Sequence, residues 1–142
     1  MTGEEGYGKG EEGISWTVSE PDGGPVNSYE DLRVWNAAID LAETVYRFSE
    51  SFLSHEQFGL TSQIRRAAVS IASNIAEGWG RGSRKDYIRF LLIARGSLYE
   101  VRTQAVIAQR VGYLSDEHAR QVREDTERLR RQLQGLIVSL RR

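Results

Sequence analysis

Both prolines of this 142-residue chain, Pro21 and Pro25, fall within its first 25 residues. Everything after them is free of the one residue that breaks a helix interior by removing a hydrogen bond and clashing with the preceding turn. The two prolines bracket a Pro-Asp-Gly-Gly-Pro turn cluster, which places a boundary there. Charge changes at the same point. Residues 1–25 hold six acids (Glu4, Glu5, Glu11, Glu12, Glu20 and Asp22) against Lys9 alone, a balance of −5, and seven of the fourteen glycines. The remainder holds eighteen Lys/Arg against fourteen Asp/Glu, or +4. The expected organisation is an acidic, glycine-rich tail over 1–27 and one folded domain over 28–142. In the tail, Ile14, Trp16 and Val18 alternate with Ser15 and Thr17, a period-two pattern suited to a short strand over 14–18 or to docking on a partner. A disordered acidic leader is the other reading of that composition.

Four helical stretches follow the boundary. Ser28 is placed to cap the first, about 29–53, with Glu30 and Asp31 complementing its positive end. The second runs from Leu60 to Glu77, with Ile64, Ala67, Ala68, Ile71 and Ile75 on one face and Gly78 placed to end it. Ser83 and Asp86 resemble a capping box that opens a third stretch to about Val111, stopped by Gly112. Ser115, followed by Asp116 and Glu117, opens a fourth with a stripe of Val122, Leu129, Leu133, Leu136, Ile137 and Leu140. Short loops between long helices predict an all-α fold, an antiparallel up-down four-helix bundle.

Two of these helices carry more apolar surface than one bundle consumes. The third has a first stripe of Phe90, Leu91, Ala94, Leu98, Val101, Ala105 and Ala108. A second stripe holds Leu92, Ile93, Tyr99, Val106, Ile107 and Val111. The first helix likewise adds Val34, Leu41, Phe48 and Phe52 beside Leu32, Trp35, Ile39 and Ala42. A helix that is apolar on most sides must be buried on most sides. The surplus therefore predicts a homo-oligomer with Val34, Leu41, Phe48, Leu92, Ile93, Tyr99, Val106 and Ile107 at its interface. Burying about 600 Å² at about 25 cal/mol/Å² is worth on the order of 15 kcal/mol before entropy. Scattered surface apolar residues are the competing reading.

The run Glu56-Gln57-Phe58-Gly59-Leu60-Thr61-Ser62-Gln63-Ile64-Arg65-Arg66-Ala67-Ala68-Val69-Ser70-Ile71, continued by Asn74-Ile75-Ala76-Glu77-Gly78, carries a resemblance. So do Tyr29-Glu30-Asp31-Leu32-Arg33-Val34-Trp35 and Phe90-Leu91-Leu92-Ile93-Ala94-Arg95-Gly96-Ser97-Leu98-Tyr99-Glu100. Together they resemble the four-helix bundle proteins encoded by intervening sequences of bacterial 23S ribosomal RNA genes, over about 28–142. The resemblance implies a ring-like homo-oligomer, a pentamer, with no established enzyme activity. It also implies a distant likeness to accessory proteins of diversity-generating retroelements, bundles that bind a reverse transcriptase and nucleic acid. Residues 1–27 have no counterpart in that pattern, and Ser54 stands where a proline is usual.

Gln63, Arg66, Ser70, Asn74 and Glu77 form a polar stripe beside the apolar face of the second helix, with Ser97 and Glu100 as plausible partners on the third. Partly desolvated between helices or subunits, such groups must hydrogen-bond one another. Either they fix helix register, which is the favoured reading, or they form a ligand-binding or interface network. A second polar group is Arg81, Arg84, Lys85 and Arg89 with Trp79 and Tyr87 interleaved, at the start of the third helix, where free amides also favour anions. Cations with stacking rings suit single-stranded RNA or a phosphate backbone. A solvated turn with ordinary surface arginines is the alternative.

Catalytic chemistry finds no support. A di-iron bundle needs Glu-x-x-His steps that are absent, and the two histidines, His55 and His118, make a metal centre improbable. There is no Gly-x-Ser-x-Gly turn, and Gly78-Trp79-Gly80-Arg81-Gly82-Ser83 follows a helix and lacks a phosphate-loop ending. The chain has no cysteine, which fits a reducing, cytoplasmic location, and no run approaches the roughly 18 apolar residues of a membrane span. No cofactor, metal or small-molecule substrate is expected. The leading expectation is a non-enzymatic bundle acting as a scaffold or adaptor with weak RNA or nucleoprotein binding. The alternatives are an accessory subunit of a reverse transcriptase in a diversity-generating retroelement, and a pure oligomerisation platform displaying the tail.

Overall fold

The computed structural model describes residues 6–9 and 15–18 as backbone and residues 26–142 in full. Strands β1 (Gly6–Lys9) and β2 (Ser15–Val18) pair antiparallel, with Gly6 opposite Val18 and Lys9 opposite Ser15. Ile14 and the six acids of the tail lie outside the described residues.

Ser28 caps a turn rather than a long helix. Its Oγ accepts from the Glu30 amide at 3.1 Å, while the Asp31 carboxylate accepts from the amides of Asn27 and Ser28 at 2.8 and 3.2 Å. That box closes a single 3-10 turn, Tyr29–Asp31, and Leu32 then turns extended (ψ 132°) with its side chain fully buried. Helix α1 therefore runs Arg33–Ser49, shorter at both ends than the 29–53 expected. At its far end the hydroxyls of Ser49 and Ser51 donate to the carbonyls of Tyr46 and Phe48, and the backbone amides of Glu50, Ser51 and Phe52 bond three residues back, to Arg47, Phe48 and Ser49.

Helices α2 (Leu60–Gly80), α3 (Arg84–Arg110) and α4 (Asp116–Arg141) follow the periodicity closely. Ser83 and Ser115 accept from the amides of Asp86 and His118, both at 3.1 Å, and cap α3 and α4. Gly112 takes φ 85° just past α3. Gly78 does not end α2 as expected; Gly82, at φ 79°, stands just past the end. Gly78 is buried inside α2, where an added Cβ would sit 2.7 Å from Phe90 Cβ and 3.2 Å from Tyr87 Cδ1. Its role is close approach of α2 to α3.

The four helices form an antiparallel bundle in which α2 packs most extensively on α3, and α1–α2, α3–α4 and α1–α4 close the ring of neighbours. Ile64, Ile71 and Ile75 of α2, Leu91 and Leu98 of α3, and Leu129, Leu133 and Ile137 of α4 fill the core, as their spacing predicted. Val34, Leu41 and Phe48 are core as well, and Phe52 is buried beside them. Ile39 of the neighbouring stripe is left exposed and Trp35 and Ala42 partly so. Expected at an oligomer interface, Val34, Leu41 and Phe48 are instead consumed inside one chain. With two apolar stripes on α1, packing against α2 and α4 chose the azimuth.

Candidate nucleic-acid interface

Helices α3 and α4 are aligned by polar ties. Arg95 Nη1 donates to Gln134 Oε1 at 2.7 Å, and Arg102 Nη1 to Glu127 Oε2 at 3.3 Å. Both partners step by seven residues, so one more heptad sets Arg141 level with Ile88, within the first turns of α3. The α2–α3 turn and the C-terminal end of α4 thus share one end of the bundle.

That end gathers the basic residues. Arg84 and Lys85 are exposed and take part in no ion pair among the described residues. Arg81 pairs with Glu77 at 3.1 Å and Arg89 with Asp86 at 3.5 Å. Their guanidinium carbons lie 5.0 and 4.7 Å from the Phe90 ring centroid, so both cations flank one ring. Exposed Arg141 and Arg142 join this end through the heptad register, and no local sequence pattern could have placed them there.

The rings correct the expectation. Tyr87 is fully buried, and half-buried Trp79 meets it edge to face at 6.0 Å. Tyr87 precedes Phe90 and Leu91 by three and four residues, so it continues the core stripe of α3. Neither ring is presented as an open platform for a base.

The polar stripe divides. Ser70 and Ser97 hydroxyls lie 2.8 Å apart, and Asn74 Nδ2 donates to the Ser70 carbonyl at 2.8 Å and its hydroxyl at 2.9 Å. The Ser70–Ser97 contact ties α2 to α3, and Asn74 holds Ser70 from within α2. Gln63, Arg66, Glu77 and Glu100 are exposed, with Glu77 held by Arg81.

The second stripe of α3 stays at the surface. Ile93, Tyr99, Ile107 and Val111 are 43, 45, 47 and 56% exposed, and Leu92 and Val106 are half-buried. Tyr99 lies near Arg130 of α4. Beside it Arg130 donates to Glu127 at 2.7 and 3.0 Å. That bond, reinforced by the charges of Arg130, Arg102 and Arg131, holds the Glu127 carboxyl below the ordinary glutamate range and raises Arg130.

A profile of the 23S rRNA-intervening sequence proteins matches residues 30–135. The chain belongs to that family. The chain is also similar to a crystal structure of a protein of unknown function from the S23 ribosomal protein family of Bacteroides thetaiotaomicron. The two are 25% identical with a TM-score of 0.66, over 73% of this chain and 97% of that one. No curated protein matches the chain. Neither match indicates a catalytic family. Among the described residues, no group of three or more His, Asp or Glu could hold a metal ion. No described helix is long and apolar enough to cross a membrane.

Proposed function

We propose that the protein is a non-enzymatic, cytoplasmic scaffold or adaptor that assembles as a ring-like homo-oligomer, a pentamer, and binds RNA weakly through its basic end. The observation that carries the RNA reading is the convergence of Arg81, Arg84, Lys85 and Arg89 with Arg141 and Arg142 at one end of the bundle. Arg84 and Lys85, which no carboxylate neutralises among the described residues, supply its free charge. With Tyr87 buried and half-buried Trp79 held edge to face against it, the contact is to phosphate and not to stacked bases, so affinity per protomer is low and salt-sensitive. Repetition around a ring raises it by avidity. Support for assembly comes from Ile93, Tyr99, Ile107 and Val111, four large apolar side chains at the surface of one helix.

Filter binding of single-stranded RNA across a salt series tests the reading. Each lost phosphate contact lowers the slope of log affinity against log salt by about 0.7. The R84A/K85A variant is expected to bind more weakly with a slope shallower by about 1.4, and adding R81A, R89A, R141A and R142A to weaken it further. Curves that superimpose on wild type remove the RNA proposal.

A further inference from the structure

A groove of about 400 Å³ opens between α3 and α4 at the end of the bundle opposite the basic turn. It opens there because the facing residues are small: Ala105 and Val106 from α3, Ala119 and Val122 from α4. Arg102, Arg120 and Arg123 stand on its walls. Arg102 is engaged by Glu127, whereas Arg120 and Arg123 take part in no ion pair among the described residues. Three residues apart on a helix, they project as neighbours over one edge of the groove. Gln109 and Asp116, joined by a 2.9 Å hydrogen bond, close its end.

We infer that this groove is a subsite for one unpaired nucleotide of RNA, its base on the Val106–Val122 floor and its phosphate between Arg120 and Arg123. The inference rests on the RNA reading above and adds a contact some 33 Å along α3, the 22 residues from Arg84 to Val106 at about 1.5 Å per residue. Paired guanidinium forks match a phosphate in bidentate geometry and can also stack on a base. An apolar floor between small side chains accepts a flat ring. The Gln109 amide and Asp116 carboxylate offer a donor and an acceptor to its edge. A strand running from the groove to the basic end passes Arg130 and Arg95 on the way.

The test titrates the full chain with adenosine 5′-monophosphate, with inorganic phosphate and with a single-stranded oligoadenylate. Methyl NMR of Val106 and Ala119 is read alongside RNA affinity for wild type, R120A/R123A, R120K/R123K and R84A/K85A. Both arginines are exposed, so the variants are expected to keep wild-type circular dichroism. The inference expects R120A/R123A to weaken oligoadenylate at least tenfold, flatten the salt slope by about 0.7 for the one phosphate lost, and abolish the methyl shifts. R120K/R123K should restore part of the affinity, and R84A/K85A should leave the mononucleotide response intact. RNA binding that R84A/K85A weakens and R120A/R123A leaves unchanged overturns the groove alone. Equal methyl responses to inorganic phosphate and mononucleotide overturn the base contact. Absence of any RNA binding by wild type overturns the function proposed above; the mononucleotide titration then decides the groove, methyl shifts sustaining a nucleotide site and their absence ending it.

Discussion

Replacing Gly78 by alanine isolates the contact that lets α2 and α3 approach. The new Cβ would lie 2.7 Å from Phe90 Cβ, 3.2 Å from Tyr87 Cδ1 and 3.3 Å from the Tyr87 carbonyl oxygen. Carbon atoms rest at about 3.5–4.0 Å, so the helices must part by close to 1 Å along this seam. Phe90 Cβ moves only with the α3 backbone, and Tyr87 is fully buried, so no flexible side chain absorbs the shift. Overpacking of this kind costs about 1–3 kcal/mol, against a gain of up to about 1 kcal/mol from the helix propensity of alanine. The expected net loss is about 1–2 kcal/mol. Gly135, in the interior of α4, provides the control: an added Cβ there meets nothing within 4 Å. Gly135→Ala should stabilise by up to about 1 kcal/mol through propensity alone. Urea unfolding of both variants and wild type at one protein concentration reads the two effects. The same substitution is expected to change sign between the two helices. Equal stabilisation by both would refute the assignment of Gly78 to close packing.

Ile93→Asp and Ile107→Asp place charge on the exposed stripe of α3 and are expected to reduce the mass seen by light scattering while leaving helix content unchanged; a wild-type protein that is already monomeric removes assembly from the proposal. Asn74→Ala deletes both bonds to Ser70 and should cost about 1–2 kcal/mol, whereas Arg66→Ala, exposed and in no ion pair among the described residues, should stay within about 0.5 kcal/mol of wild type in urea unfolding. Because Glu127 holds its proton less readily when folded, its contribution is fully present above the ordinary glutamate range and lost as pH falls through the depressed folded value. Glu127→Gln should therefore flatten the acid limb of a stability profile measured by urea midpoints, and an unchanged limb would contradict the pairing with Arg130.

The number of helices and the inward faces of α2 and α4 were legible from the sequence. Each rests on capping residues or a 3.6-residue period acting within one segment, and Gly112, Ser83 and Ser115 behave as those local rules require. Periodicity names a face without saying what will cover it. A helix with two apolar stripes has two acceptable azimuths, so only packing against α2 and α4 could send Val34, Leu41 and Phe48 inward and leave Ile39 at the surface. The same holds for Tyr87, which reads as a stacking ring beside arginines until α3 is docked and its first turn is seen to face the core. Gly78 carried the mark of a helix stop because glycine often is one; the clash that explains it comes from Phe90 on another helix. Arg141 joins Arg84, and Arg120 overhangs Ala105, through a heptad register between α3 and α4 that depends on how two long helices settle against each other. Local chemistry determined the elements; the docking of helices across the core decided which of their residues meet, because no short stretch of chain contains both sides of a contact.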